Sequence, residues 1–275
     1  MYESYWGLER RPFGSGCDAR FYYPSDAHQG TLLKLRFAVE SKHVAALVIG
    51  DSGTGKTLIG RLLAERLSTD CTPLVHLTFP QMPAPNLLAY LARELHAPVA
   101  SGSHVPSIDE SVCALQQLLA ANAHAGKHAV IVVDEAHLIE SNQCFEALRL
   151  LSNVEVDGAP AATIVFIGKP ALMPIFERLP QWEQRLSVKC LLRPFSADET
   201  HAYVQHRLQT AGAGDTEIFQ RDALDALHSI SQGTPRDIHR LADLALLTAL
   251  ADGEESIGVE RIQAVAAELV NVGAD

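Results

Sequence analysis

Short apolar runs alternate with helical periodicity along roughly the first two thirds of the chain. Each run is short enough to be a strand, and the intervals carry apolar residues at helical spacing. Continuous apolar runs are typical of strands buried on both faces, and such strands separated by helices indicate a parallel α/β sheet. The five predicted strands are Ala45–Ile49, Leu74–Phe79, Ala129–Val133, Thr163–Ile167 and Leu186–Leu192.

Helices are predicted between these strands, and local signals mark some of their ends. Ser107 and Glu110 have the spacing of a capping box, and Gly126 is a good helix stop. The predicted helices run from about Ser25 to Ser41, over Thr57–Leu67 and Asn86–Leu95, from Ser107 to Gly126, and over Ser141–Asn153.

The pattern changes after Pro194. Ser196 and Glu199 form a second capping-box pattern, and helical periodicity without a convincing strand continues to Val272. This predicts a helical domain that follows an α/β core. The N-terminal segment before the core is predicted to pack on that core. The predicted boundaries are 1–43 for the N-terminal segment, 44–194 for the α/β core and 195–275 for the helical domain.

Composition and charge narrow the class of protein. The chain has 275 residues, 47% hydrophobic and 20% charged, which is ordinary for a globular protein with one large or two unequal domains. Lys and Arg number 22 against 33 Asp and Glu, giving a net charge of -11. This balance does not favour a chain whose main role is to wrap nucleic acid, although it leaves room for a small basic patch.

The cysteines and the N-terminal residues indicate the cellular compartment of the protein. No cysteine pair has C-x-x-C spacing, and several cysteines lie in apolar runs, which indicates reduced, buried thiols rather than a zinc site or a disulfide framework. The first residues lack a signal-peptide pattern, and no apolar run approaches the roughly 20 residues that span a bilayer. We therefore expect a cytoplasmic protein without a transmembrane segment. The five cysteines are Cys17, Cys71, Cys113, Cys144 and Cys190.

The segment 50–57 matches the phosphate-loop pattern G-x-x-x-x-G-K-[ST]. Its glycines allow backbone N–H groups to surround phosphate oxygens, Lys56 neutralises the β and γ phosphates, and the Thr57 hydroxyl binds Mg²⁺. A chance match is expected on the order of once in a hundred such chains, and the position between a strand and a helix favours function. The predicted ATP-binding residues are Gly50, Asp51, Ser52, Gly53, Thr54, Gly55, Lys56, Thr57 and Leu58.

Two carboxylates follow the third predicted strand. Asp134 is predicted to hold Mg²⁺, and Glu135 to polarise the water that attacks the γ phosphate. A solvated loop after a strand is the alternative, but the preceding phosphate loop favours catalysis. His137 completes Asp-Glu-Ala-His, a tetrad also found in two-lobed helicases, and a chain with one α/β core has no room for their second lobe. We therefore interpret His137 as a structural or supporting residue.

Two arginines are candidates for contacting the γ phosphate in the transition state. Arg185 directly precedes the fifth predicted strand. Arg236 follows the turn at Gly233, where it begins a helix of the C-terminal domain. From there Arg236 is predicted to reach a nucleotide bound between the two domains. The alternative for both is a surface arginine or a local ion pair.

Nearly the whole chain resembles the AAA+ ATPases of the ExeA/GspA-like secretion group, which are related to transposition ATPases of the TniB, TnsC and MuB type. The matching features occur in the family's order and spacing. They are Tyr5–Leu8, Pro12–Phe13, Gly50–Thr57, Val132–His137, Leu148–Asn153, Val165–Pro170, Gln184–Arg185 and Gly233–Arg236.

The resemblance implies a five-stranded core with a helical lid, ATP and Mg²⁺ as ligands, and assembly into an oligomer. It suggests Arg185 as a candidate arginine finger, leaving open whether it acts across subunits, and Arg236 as the lid sensor. It also places the segment around Tyr22, Tyr23 and His28 near the adenine.

The resemblance leaves the polar sensor at the end of the fourth strand open between Asn153 and Lys169. The family usually has Gln where this chain has Lys169. The secretion prototypes also carry a membrane span and a peptidoglycan-binding region, which this sequence lacks, so a direct role in opening the cell wall is not expected.

The sequence favours an ATP-hydrolysing oligomeric motor or switch that acts on a protein assembly, with a link to secretion or the envelope. The alternatives are a transposition-type regulator associated with DNA and a nucleotide-dependent binding module with little turnover. The charge argues against DNA, and Glu135 argues against a module without turnover. The N-terminal aromatic cluster that includes Trp6 and Phe13 is either a docking arm or packing that anchors the segment.

Overall fold

The computed structural model describes residues 1–14, 16, 18–98, 107–214 and 217–271, so Cys17 and the predicted helical end at Val272 lie outside the described residues. Packing divides the chain into two compact units. The helical unit comprises Met1–Asp26, Gly53–Gly55 and Arg193–Asp275, and the α/β unit comprises Ala27–Ser52 and Lys56–Leu192.

The α/β unit contains the predicted five-stranded parallel sheet, which is confirmed. Its strand order is β2-β3-β6-β1-β7, and the central strands are buried throughout. A two-stranded antiparallel hairpin, β4-β5, lies outside this sheet. The strands are β1 (Ala45–Gly50), β2 (Leu74–Leu77), β3 (Ala129–Val133), β4 (Glu155–Val156), β5 (Ala159–Pro160), β6 (Ala162–Gly168) and β7 (Leu186–Leu192).

Strand β2 is shorter than predicted. Leu77, its last residue, pairs with Val133, the last residue of β3, so the two residues that follow have no ladder to join. Phe79, predicted to end the strand, is instead 62% exposed. The β4-β5 hairpin was not predicted, although its turn residues Asp157 and Gly158 have φ of 53° and 76°, as a two-residue Asp-Gly turn requires.

Among the described residues, seven α-helices belong wholly or mainly to the α/β unit. The capping box at Ser107 is confirmed, since its hydroxyl accepts from the Glu110 N–H and the Glu110 carboxylate accepts from the Ser107 N–H. Two of the helices are too short to produce a periodic pattern and were not predicted. The seven are α1 (Asp26–Glu40), α2 (Lys56–Arg66), α3 (Ala84–Glu94), α4 (Ile108–His124), α5 (Asn142–Leu151), α6 (Leu172–Glu177) and α7 (Pro180–Glu183).

An aromatic cluster fills the core of the α/β unit around Trp182. Its ring makes an edge contact with Phe166 at a centroid distance of 5.0 Å, and Phe166 makes a similar contact with Phe176. The indole N–H of Trp182 donates to the Phe145 carbonyl at 3.0 Å, so its one polar group is satisfied within the core. The short helices α6 and α7 are thereby fixed to strand β6 and helix α5.

In the part of the helical unit that the structure describes, there are four further α-helices. The second predicted capping box is confirmed between Ser196 and Glu199. Phe219 and Ile257, in two of the segments that connect these helices, form an isolated parallel β-bridge. The helices are α8 (Ala197–Thr210), α9 (Arg221–Ser231), α10 (Pro235–Asp252) and α11 (Val259–Asn271).

The N-terminal residues differ from the predicted packing of 1–43 on the α/β core, because residues 1–26 belong to the helical unit. Their aromatic side chains complete the hydrophobic core of that unit. The Trp6 indole donates to the Leu246 carbonyl at 3.1 Å. Buried Arg207 donates to the Pro12 carbonyl at 2.6 Å and lies over the Phe21 ring. These contacts agree with anchoring, and not with a free docking arm.

The cysteines agree only in part with the expectation of buried thiols. Cys71, Cys144 and Cys190 are free and buried, whereas Cys113 is free and exposed on helix α4. No helix in the described part of the chain is both long enough and apolar enough to cross a membrane.

Candidate functional site

The phosphate loop connects strand β1 to helix α2. Gly50 ends β1, and Lys56 is the first residue of α2. Gly53 and Gly55 have φ of +83° and +92°, which glycine adopts without the strain that a side chain introduces. The glycines of the pattern are therefore where the backbone requires them. Between them Thr54 is buried, and Leu58, the third residue of α2, is half-buried.

Lys56 is 5% exposed, and its ammonium donates to the carbonyl of Asp51 at 2.6 Å. A buried ammonium is costly unless it is hydrogen-bonded, and it attracts a negatively charged partner. The Asp51 carbonyl thus holds the Lys56 side chain against the loop. The remaining ammonium N–H groups can donate hydrogen bonds to a phosphate oxygen.

Thr57 and Asp134 meet at the end of strand β3. The Thr57 hydroxyl donates to Asp134 Oδ2 at 2.9 Å, and the Glu135 N–H donates to Asp134 Oδ1 at 2.8 Å. Burial alone has the largest effect and raises the pKa of Asp134. The combined effect of His76, Thr57 and the Glu135 N–H is greater, so the pKa of Asp134 lies below its ordinary value. Asp134 is therefore a carboxylate at neutral pH despite its burial.

These two oxygens fit a magnesium ion. Mg²⁺ prefers hard oxygen ligands and is usually held by one or two protein groups together with substrate phosphates and water. The hydroxyl of Thr57 and the carboxylate of Asp134 are such ligands, and they already lie within 2.9 Å of each other. The structure therefore places the two predicted magnesium ligands together.

His76 is a member of this site that the sequence reasoning missed. Its Nε2 lies 3.6 Å from Asp134 Oδ2. A Cβ at Gly60 of helix α2 would lie 3.2 Å from the His76 ring, so only a very small residue leaves room there. The sequence offered only a partial signal, a histidine that interrupts the apolar strand β2. The pairing of His76 with Val132, two residues before Asp134, is seen only in the structure.

Glu135 leaves the strand in a left-handed conformation, with φ 49° and ψ 35°. Its side chain is 37% exposed, compared with 3% for Asp134. Oε2 of Glu135 lies 3.4 Å from Nδ1 of His137, and the same Nδ1 accepts a hydrogen bond from the Lys169 N–H, also at 3.4 Å. Burial is the largest influence on His137 and places its pKa below the ordinary value.

Arg185 and Asn153 lie near the C-terminal end of helix α5. Nη1 of Arg185 donates to the Ser152 hydroxyl at 2.9 Å, and the Arg185 side chain is half-buried. Asn153 is exposed. This side-chain contact is thus with the residue that follows α5, and the role of Arg185 as a finger stays a prediction.

Arg236 lies in the first turn of helix α10, directly after Pro235. Its backbone N–H donates to the carbonyl of Gly53 at 3.3 Å. A Cβ built on Gly53 would lie 2.7 Å from the Cβ of Arg236 and 3.0 Å from Thr234. The close approach of α10 therefore requires glycine at position 53 and places Arg236 beside Gly53. Its predicted contact with the nucleotide stays a prediction.

The aromatic residues expected near the adenine are largely buried. Tyr22 and His28 are buried, and the Tyr23 ring makes edge contacts with Phe195 and Tyr203 at 5.9 and 5.7 Å. These contacts fix Tyr23 within the helical unit, and a role beside the adenine stays a prediction.

A parallel sheet of order β2-β3-β6-β1-β7, a phosphate loop after β1 and paired carboxylates after β3 define a P-loop protein of the AAA+ class. Residues 40–176 match the family described as AAA domain, and the chain belongs to the AAA+ family. The predicted resemblance is confirmed by General secretion pathway protein A of Aeromonas hydrophila, which is 34% identical over 260 residues. That match covers 94% of this chain and 46% of the relative, so the chain spans about half the relative's length.

Solved structures agree on the fold. Cdc6p from Pyrobaculum aerophilum superposes with a TM-score of 0.72 at 18% identity, covering 94% of this chain and 70% of that one. The ORC2 protein of Aeropyrum pernix gives 0.69 at 17% identity, covering 95% of this chain and 72% of that one. At these identities the likeness shows the AAA+ fold with its C-terminal helical region and no more.

Proposed function

We propose that the chain binds ATP with Mg²⁺ and hydrolyses it to ADP and phosphate. The observation that carries the proposal is the contact between Thr57 and Asp134, with Glu135 as the next residue. This contact joins the predicted magnesium ligands, and it puts a second, more exposed carboxylate beside them. A nucleotide-binding module without turnover has less need of that second carboxylate.

The residues divide the work by their environment. Lys56 and the loop N–H groups would hold the phosphates, and Thr57 and Asp134 would hold a magnesium ion, which would neutralise charge on the phosphate oxygens. Glu135 takes a proton from the attacking water as its oxygen bonds to the γ phosphorus and the bond to the β–γ bridging oxygen breaks. Exposure suits Glu135 for this role because the water must reach its carboxylate.

The wider role that we propose is an oligomeric motor or switch in the cytoplasm that acts on a protein assembly linked to secretion. The relative named for the general secretion pathway supports the link. In such an oligomer, Arg185 of one subunit completes the site of its neighbour, and Arg236 senses the γ phosphate from the lid. The net charge of -11 favours a protein partner over DNA.

Hydrolysis is tested by phosphate release in Mg²⁺ and in EDTA. Lys56→Ala should abolish ATP binding and turnover, whereas Lys127→Ala, at an exposed lysine, should leave both unchanged. Glu135→Gln should retain nucleotide binding and lower kcat by about 100-fold or more, as loss of a general base does. The exposed Glu155→Gln is its matched control. Turnover that survives Lys56→Ala would overturn the proposal.

The wider role needs separate measurements. Size-exclusion chromatography in ATP should show an oligomer that ADP does not support. If the finger acts across subunits, mixing Arg185→Ala with Lys56→Ala should restore partial turnover, because the intact Arg185 of one subunit then meets the intact Lys56 of another. DNA should leave turnover unchanged. Stimulation by DNA would favour the transposition-type regulator instead.

A further inference from the structure

His137 has one ring nitrogen facing two partners. Its Nδ1 lies 3.4 Å from the carboxylate oxygen of Glu135 and accepts the Lys169 N–H at 3.4 Å. The His137 side chain is 10% exposed, so water replaces neither partner freely. This contact links the end of strand β3 to the end of strand β6, on either side of the residue that is proposed to activate water.

The two contacts exclude each other at Nδ1. A neutral imidazole carries its proton on one nitrogen, so Nδ1 either accepts through its lone pair or donates its proton. When Nδ1 accepts from the Lys169 N–H, it carries no proton to donate to Glu135, and the carboxylate is left to bind water. When the proton lies on Nδ1, it is donated to Glu135, which is then held away from water, and Lys169 loses its acceptor.

The end of strand β6 is packed closely against the His137 ring. Gly168 precedes Lys169, and a Cβ there would lie 2.9 Å from Leu172 and 3.4 Å from Nδ1 of His137. The end of β6 therefore packs against the ring without spare space. The Lys169 N–H donates to Nδ1 at 3.4 Å, close to the upper limit for a hydrogen bond, so a small shift of β6 would be enough to break this contact.

We propose that His137 is a positioning residue for Glu135, and that it frees or holds the Glu135 carboxylate according to whether Nδ1 accepts from the Lys169 N–H. This role rests on the proposed ATP hydrolysis. It is the main chain of Lys169 that makes the contact, so the role does not require the glutamine that the family usually has at this position.

Steady-state kinetics of three substitutions test the role. Asn places an amide near the position of Nδ1, Gln extends it towards Nε2, and Phe keeps the ring without a polar atom. His137→Phe should lower kcat about 10-fold, a change of about 1.4 kcal/mol in the barrier, while KM and nucleotide affinity stay within about 2-fold. His137→Asn should recover most of kcat and His137→Gln should not. His124→Phe, at an exposed histidine of helix α4, is the matched control.

A double-mutant cycle separates positioning from general packing. In the Glu135→Gln background, His137→Phe should change the residual rate by less than about 2-fold, because no carboxylate is left to position. If the kcat losses of the two single substitutions multiplied in the double variant, the role would be overturned. A normal kcat in His137→Phe alone would overturn it as well. A loss of affinity equal to the loss of kcat would also overturn it. Wild-type protein without any turnover would instead overturn the proposed function itself, and the positioning role with it.

Discussion

Gly233 precedes helix α10, and an alanine there should destabilise the helical unit strongly. The residue has φ +70°, and its carbonyl accepts from the Phe195 N–H at 2.9 Å. A Cβ at position 233 would lie 2.0 Å from the Phe195 carbonyl oxygen. Because that oxygen belongs to the backbone, no side-chain rotation relieves the overlap, and the two chain segments must separate.

The magnitude follows from three contributions. An L-residue at this φ costs about 1–2 kcal/mol in backbone strain. Separating overpacked segments costs about 1–3 kcal/mol more, and the lost hydrogen bond from Phe195 adds about 1 kcal/mol. Gly253 isolates the first contribution, since its φ is +71° and nothing lies within 4 Å of its Cβ position. Gly233→Ala should therefore be about 2–4 kcal/mol more destabilising than Gly253→Ala.

Thermal unfolding followed by circular dichroism measures this difference. With a shift of about 2–4 °C per kcal/mol for chains near this size, Gly253→Ala should lower Tm by a few degrees and Gly233→Ala by about 6 °C or more. Hydrogen exchange should localise the extra loss to the start of α10, which carries Arg236. Equal Tm values for the two variants would refute the steric argument.

Two further predictions concern the cores of the two units. Trp182→Ala should lower the free energy of unfolding in urea by about 3–5 kcal/mol, since the ring is fully buried and its N–H is hydrogen-bonded. Leu191→Ala, the control at a residue that is 64% exposed, should change that free energy by less than about 0.5 kcal/mol. Arg207→Ala should make residues 1–26 more sensitive to limited proteolysis by removing the donor to Pro12 and the cation over Phe21. Arg207→Lys should not restore protection, since lysine lacks the planar fork, and intact protection in Arg207→Ala would contradict the anchoring.

Local rules account for what the sequence predicted well. The capping boxes at Ser107 and Ser196 depend on residues three apart, and both formed. Strand β3 was predicted to the residue because a fully apolar run ends at two carboxylates. The phosphate loop likewise depends on glycine positions that the sequence displays directly.

Packing between distant segments accounts for what was missed. Nothing near Trp6 in the sequence indicates that its indole bonds to Leu246, some 240 residues away. The placement of His76 beside Asp134 depends on the register of β2 with β3, which the apolar pattern leaves undetermined. The early end of β2 has the same origin, since the length of a strand is set by its partner as well as by its own residues.

The left-handed backbone at Glu135 gives the two adjacent carboxylates different surroundings. Asp134 directly follows strand β3 in a buried position, and its two carboxylate oxygens accept hydrogen bonds from the Thr57 hydroxyl and the Glu135 N–H. A left-handed Glu135 costs about 1–2 kcal/mol, yet it ends the strand at once and starts the turn that brings His137 within 3.4 Å of Oε2. Glycine would remove the strain and the carboxylate together. Strain retained at a residue whose side chain faces a partner and solvent is therefore an independent reason to assign Glu135, and not Asp134, to the chemistry.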